Sequence, residues 1–236
     1  MAETITIAGR FNGPPNSGNG GYVCGRLGLL FDGPAEVTLK KPPPLDMAMS
    51  VARDDGGISL MDGDGVVAEA GPALVDLAIP EPPDLETARA AVQHYTGFGL
   101  HAFPTCFVCG PERRPGDGLC IFPGKVAGGD LVAAPWTPDA SLADEAGGID
   151  PVHVWAALDC PGYFAVADVG EAAVLGRMAA EVPGVPAVGE TCVVIGWAIG
   201  GEGRKLHSGT AVFGADGRLI GKARATWIKL QAATGA

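Results

Sequence analysis

The stretch Asn19-Gly20-Gly21-Tyr22-Val23-Cys24-Gly25-Arg26-Leu27-Gly28-Leu29-Leu30 decides how this chain folds. Asn19 is a good helix cap, because its side-chain oxygen accepts from the free amides of a first turn. Residues Tyr22 to Leu30 are mostly apolar and read as a short buried helix. The glycines and the β-branched and aromatic residues weaken its propensity, so tertiary burial has to hold it. A helix this apolar does not lie on a surface; it must be wrapped.

A second segment of the same kind runs from Asp150-Pro151 through Val152-His153-Val154-Trp155-Ala156-Ala157-Leu158-Asp159-Cys160. Asp150 caps it, Pro151 suits its first turn, and Pro161-Gly162 is expected to bend or end it. Strands surround both segments. Thr4–Ile7 precedes the first helix, and Val37–Leu39, Met47–Ala52, Ile58–Met61 and Val66–Ala70 follow it. Asp64-Gly65 marks a hairpin between the last two. Pro80-Glu81-Pro82-Pro83-Asp84 is an extended linker, and Leu85, Ala88, Val92 and Tyr95 predict a linker helix over Leu85–Gln93. Residues 101–149 are rich in Gly and Pro, with short strands expected at Leu119–Phe122 and Leu131–Ala134. Strands return at Val174–Ala180, Thr191–Ile199, Leu206–Phe213 and Leu219–Ile228, with an Asp216-Gly217 hairpin between the last pair.

Strand, buried helix, then antiparallel strands closing on an Asp-Gly hairpin: the order occurs twice. Asp64-Gly65-Val66-Val67-Ala68-Glu69-Ala70 pairs with Asp216-Gly217-Arg218-Leu219-Ile220-Gly221-Lys222-Ala223, one residue longer. This reads as internal duplication, with halves over 1–79 and 105–236 and a helix-bearing linker over 80–104. A curved antiparallel sheet wraps such a helix, and two sheets can join edge to edge.

Composition bounds the function. The 236 residues carry 16 Lys and Arg against 27 Asp and Glu, a net charge of −11. That disfavours nucleic acid and anionic membrane, which need a cationic face. Charged residues are 18% and hydrophobic residues 47%, which excludes a disordered chain. No apolar run is long enough for a membrane span, and no basic-then-apolar leader is visible, so a cytoplasmic protein with reduced thiols is expected.

On its element order, on Gly20-Gly21-Tyr22-Val23-Cys24-Gly25 and on Trp155-Ala156-Ala157-Leu158-Asp159, the chain resembles the double-hotdog acyl-CoA thioesterases over nearly its whole length. The resemblance implies an α+β fold, a double hotdog of two antiparallel sheets each wrapped round a central apolar helix. It also implies a hydrolase acting on an acyl-CoA or a related thioester, with no cofactor. One chain would form a pseudo-dimer, and homo-oligomers occur in this class.

The residues carry a matching chemistry. Gly20 and Gly21 leave the backbone open to a ligand oxygen. The amides of Gly21 and Tyr22, at the positive end of the helix dipole beside Asn19, suit a developing negative charge. Asp159 stands in an apolar run, where an acid is costly unless paired, hydrated or used. In the families resembled, a helix acid at about this depth acts as general base or nucleophile on a carbonyl held by the partner helix. Gly28, at the equivalent depth of the first helix, supplies no acid, so a single site built from both halves is expected. A departure is that Asn19-Gly20-Gly21 stands where some relatives have His-Gly-Gly.

His153 is expected to line this site, and Arg113-Arg114 to receive coenzyme A phosphates. Cys160 is a poor nucleophile, because a thiol beside a carboxylate has a raised pKa. His101, Cys106, Cys109 and Cys120 cluster in sequence; Cys106-Phe107-Val108-Cys109-Gly110 has a zinc-knuckle shape but supplies only one of the usual two pairs, so no metal is expected. Two other readings stand beside the hydrolase. One is a hotdog hydratase or dehydratase, for which His153 is the only nearby histidine. The other is a non-catalytic binder of acyl or lipid-like ligands.

Overall fold

The computed structural model describes residues 3–231; the outer ends of the two expected halves, residues 1–2 and 232–236, lie outside the described residues. The strands are β1 (Thr4–Thr6), β2 (Ala35–Leu39), β3 (Ala48–Arg53), β4 (Ile58–Asp62), β5 (Gly65–Pro72), β6 (Gly124–Lys125), β7 (Leu131–Trp136), β8 (Ala173–Glu181), β9 (Cys192–Glu202), β10 (Lys205–Phe213) and β11 (Leu219–Lys229). The helices are α1 (Gly20–Gly28), α2 (Leu85–Ala91), α3 (Val152–Ala157) and α4 (Cys160–Val166).

The strands form one antiparallel sheet in the order β1-β3-β4-β5-β2-β8-β11-β10-β9-β7-β6. Two antiparallel sheets, able to join edge to edge, were the expectation; the described strands form one continuous sheet. The cause is the seam, where β2 and β8 pair from Ala35↔Ala180 to Thr38↔Arg177 and so satisfy edges that would otherwise lie unpaired. Arg177 ties the seam by donating through Nε to Thr38 Oγ1 at 3.0 Å. On each side of it the chain order is alike: β2 is followed by β3, β4 and β5 stacked back toward it, and β8 by β9, β10 and β11.

The core helices lie on one face. α1 packs on β2 and β8 at the seam, α3 on β11, and α4 on β9 and β10. α2 packs on β7 and β9 from the opposite face, with Ala88 and Ala91 against Ala133 and Ile195. The neighbours Ala134 and Val194 face the main core, as strand alternation requires.

Local chemistry shifts three expected boundaries. The β4–β5 turn is Gly63-Asp64 rather than Asp64-Gly65, because Asp62 pairs with Gly65 and Gly63 takes the positive φ of 56°. Leu119–Phe122 is not a strand, since Cys120 at φ 52° interrupts the extended run. The second core helix continues past Pro161 but is broken before it. Pro161 has no N–H for Ala157 O, so the chain slips into i−3 bonds, Asp159 N to Ala156 O at 3.1 Å and Gly162 N to Asp159 O at 3.0 Å. Asp159, at φ −78° and ψ −82°, is the joint between α3 and α4. Thr210 Oγ1 donates to the freed carbonyl of Leu158 at 2.8 Å.

The glycines that weaken α1 as an isolated helix form its contact face. A Cβ at Gly21 would stand 2.5 Å from Asp159 Cβ and 2.8 Å from Trp155 O; one at Gly28 would stand 2.5 Å from Trp155 Cζ2. Residues 21, 25 and 28 share a face by helical spacing, and Trp155 fills the groove they leave. Gly→Ala inside a helix ordinarily stabilises by about 1 kcal/mol. Gly21→Ala is expected to reverse that sign and destabilise by about 1–3 kcal/mol through overpacking, measured by denaturant unfolding. An equal or higher stability contradicts the close helix approach.

A candidate active site between the core helices

Capping of α1 begins the site. Asn19 is buried, and its Oδ1 accepts from Tyr22 N at 2.9 Å, as its capping role requires. Its amide nitrogen then points across the helix interface and donates to Asp159 Oδ2 at 2.8 Å. Gly21 N donates to the same oxygen at 3.0 Å. Asp159 is only 3% exposed, and its second oxygen, Oδ1, has no partner among the described residues. Burial raises the Asp159 pKa, the Gly21 amide opposes that, the Cys106 charge adds to it and Asn19 opposes it; the outcome is about 7.

Asp159 lines a cavity of about 450 Å³, within the size range of small-ligand pockets. Asn19, Gly20, Cys106, Cys109 and Cys160 line it beside Asp159. Leu39, Phe103, Leu175, Trp227 and Ile228 give it apolar walls, and Lys40, Lys41 and His101 border it too. Lys40 and Lys41 are exposed, and Lys40 Nζ pairs with Glu69 at 2.7 Å.

The structure gathers Asn19, Gly20, Gly21, Tyr22 and Asp159 into one cluster. It also changes what two of them offer. The amides of Gly21 and Tyr22, expected to be open to a ligand, are engaged by Asp159 and Asn19. Gly20 and Asn19 remain on the cavity wall.

Three predicted residues stand elsewhere. His153 does not line the cavity; it is buried among the rings of Phe11, Tyr22 and Phe107, with centroids 5.9, 5.9 and 6.0 Å away. Its apolar cage leaves Nδ1 without a partner and depresses its pKa to about 4. The Arg113 guanidinium is spent inside the protein, donating to Thr105 O at 2.8 Å, Arg10 O at 2.9 Å and Asn12 Oδ1, and pairing with Asp117 at 2.9 Å. Arg114 is exposed, and neither arginine lines the cavity. The cations that do, Lys40 and Lys41, lie just past β2 beside Pro42-Pro43; their adjacent charges in a Pro-rich run were the available signal.

No protein-family model matches the sequence, and no curated protein matches it either. Solved structures do. The chain is similar to a tesB protein from Mycobacterium avium subsp. paratuberculosis at 14% identity and a TM-score of 0.62, over 97% of this chain and 92% of that one. It is similar to a candidate thioesterase from Novosphingobium aromaticivorans at 10% identity and a TM-score of 0.60, over 97% and 95% of the two chains. A conserved protein with a hot dog fold from Alicyclobacillus acidocaldarius aligns at 10% identity and a TM-score of 0.58, over 98% and 93%. These likenesses establish the hotdog fold. No helix of the described residues is long and apolar enough to cross a membrane.

The caged histidine makes a pH prediction. Burial is the main cause of the depression, opposed by Asp150 and reinforced by Arg10, the charged groups that face it. The fold therefore favours neutral His153. Its stabilisation is complete above the ordinary pKa of 6.5 and is lost as pH falls toward 4, about 3 kcal/mol in all. His153→Phe is expected to flatten the loss of unfolding free energy between those pH values. An unchanged slope contradicts the assignment.

Proposed function

We propose that the chain is a thioester hydrolase acting on an acyl-CoA or a similar acyl thioester. One observation carries this reading: a buried carboxylate with a pKa of about 7, held through one oxygen by the opening of the opposing helix and with no partner at the other, belongs to a residue that lines a cavity with apolar walls. A base with that pKa is matched to proton transfer at neutral pH. The hotdog fold, shared with proteins named as thioesterases, supports the reaction class by analogy.

In the proposed reaction Asp159 Oδ1 takes a proton from water as the water oxygen bonds to the thioester carbonyl carbon. Negative charge gathers on the carbonyl oxygen, which faces the α1 N-terminus at Asn19-Gly20. The C–S bond then breaks, the proton passes from Asp159 to the departing thiolate, and a carboxylic acid and a thiol leave. Gly21 and Asn19 act by fixing Asp159 Oδ2, which turns Oδ1 away from them. The acyl chain lies along Leu175, Trp227 and Ile228, and the nucleotide end of coenzyme A meets Lys40 and Lys41.

The repeated helix-and-strand order on the two sides of the seam further supports an internal duplication with halves over 1–79 and 105–236. In that reading one half gives the helix opening and the other the acid. The hydratase alternative loses its support, because His153 stands in the aromatic cage and not on the cavity wall.

Hydrolysis of acyl-CoA substrates of graded chain length, followed by release of free thiol, tests the proposal. Asp159→Asn is expected to lower kcat by about 10²–10⁴-fold. The same variant should unfold no more easily than the parent, since it keeps an acceptor for Gly21 and removes a buried charge. Undiminished hydrolysis by the variant overturns the role of Asp159. Stabilisation of the parent by acyl-CoA with no turnover identifies a binding protein instead. Lys41→Ala should raise KM for CoA thioesters by about 2–5-fold and leave KM for the matching pantetheine thioesters unchanged, as befits one exposed charge contact; equal effects on both contradict the placement of the nucleotide.

A further inference from the structure

Three thiols converge on the wall of the cavity. The Cys106, Cys109 and Cys160 sulfurs all lie within 4.8 Å of one another, and all three residues are buried. Cys106 Sγ and Cys160 Sγ are 3.7 Å apart. Sulfurs at about 2.3 Å from a tetrahedral zinc are separated by about 3.8 Å. The first two cysteines sit on a tight turn, closed by Gly110 N donating to Cys106 O at 2.9 Å. The third cysteine comes from 51 residues further along, at the first residue of α4, where the break at Pro161 delivers it.

Small apolar filling does not account for this arrangement. Cys24 in α1 is buried as well, yet it belongs to no such sulfur cluster. Here three sulfurs from two elements share one point, and a cavity gives an ion a way to it. His101 completes the setting. Its Nδ1 accepts from Phe103 N at 2.9 Å, which leaves the ring proton on Nε2, 3.4 Å from Cys109 Sγ. The ring is thus oriented as a donor to a thiolate.

We infer that Cys106, Cys109 and Cys160 form a thiolate site for one zinc ion, with the cavity side left for a fourth donor. On binding, each S–H bond breaks, each sulfur bonds to the metal and the protons go to solvent. The ion would fasten the 106–110 turn to the helix joint that carries Asp159. Cys120, the completion that sequence order suggests, takes no part: it is half-exposed and lies outside the sulfur cluster.

Metal analysis of the full chain, reduced, loaded with zinc and dialysed, tests the inference without any activity measurement. About one zinc per chain is expected, as for a three-cysteine site. Cobalt replacement should give a sulfur-to-metal charge-transfer band and strong tetrahedral d–d bands. Cys106→Ser and Cys160→Ser should lose the metal, and Cys120→Ser should keep it. Absence of stoichiometric metal in the parent, or equal loss in Cys120→Ser, overturns the site. If a cysteine variant fails to fold, cobalt titration of the parent decides alone: no thiolate band ends the case. Zinc without hydrolysis would refute only the hydrolase, and hydrolysis without zinc only this site.

Discussion

Everything in this structure turns on one buried contact, the Asp159 carboxylate held by the Asn19 amide and the Gly21 N–H. Removing a carboxylate from water costs several kcal/mol after relaxation unless donors replace the lost hydration. Two donors at one oxygen replace part of it, and the second oxygen is left bare. The contact needs two backbones in near touch, which only a glycine at 21 allows. It also needs an acid at a helix joint, which Pro161 creates by denying Ala157 its partner. The sheet exists in its continuous form because β2 and β8 close on each other beneath α1.

From residues to site, the energetic logic is one of local penalties accepted for a shared geometry. Glycines at 21, 25 and 28 cost α1 helical propensity, and the groove they leave takes Trp155. The break at Asp159 costs hydrogen bonds, and Thr210 repairs one of them. The same break turns Asp159 toward α1 and delivers Cys160 to Cys106. A carboxylate and three thiols therefore share one wall of one cavity.

Much of this was legible in the residues because its signals are local. The apolar run after Asn19, the cap itself, the Asp216-Gly217 turn and the strand alternation are all set by near neighbours. An acid within Val-Trp-Ala-Ala-Leu-Asp-Cys is anomalous without any coordinates. What escaped depends on distance in the chain. Nothing near Cys106 announces Cys160, and nothing near Arg113 announces that Arg10 and Asn12 will absorb its donors. His153 looks like a site residue by its place before Asp159, yet it points into the ring cage formed by Phe11 and Phe107. The amides of Gly21 and Tyr22 look open from sequence, because their acceptors are fixed only by the cap rotamer and the helix crossing.

In the proposed reaction the carbonyl lies between the opening of α1 and the partnerless oxygen of Asp159. A crystal structure with a non-hydrolysable thioether analogue of an acyl-CoA tests this most directly. The account predicts the analogue's carbonyl surrogate within hydrogen-bonding reach of the Asn19-Gly20 opening, its sulfur beside Asp159, and its nucleotide toward Lys40 and Lys41. An analogue seated away from Asp159, or a cavity that stays closed to it, would contradict the account.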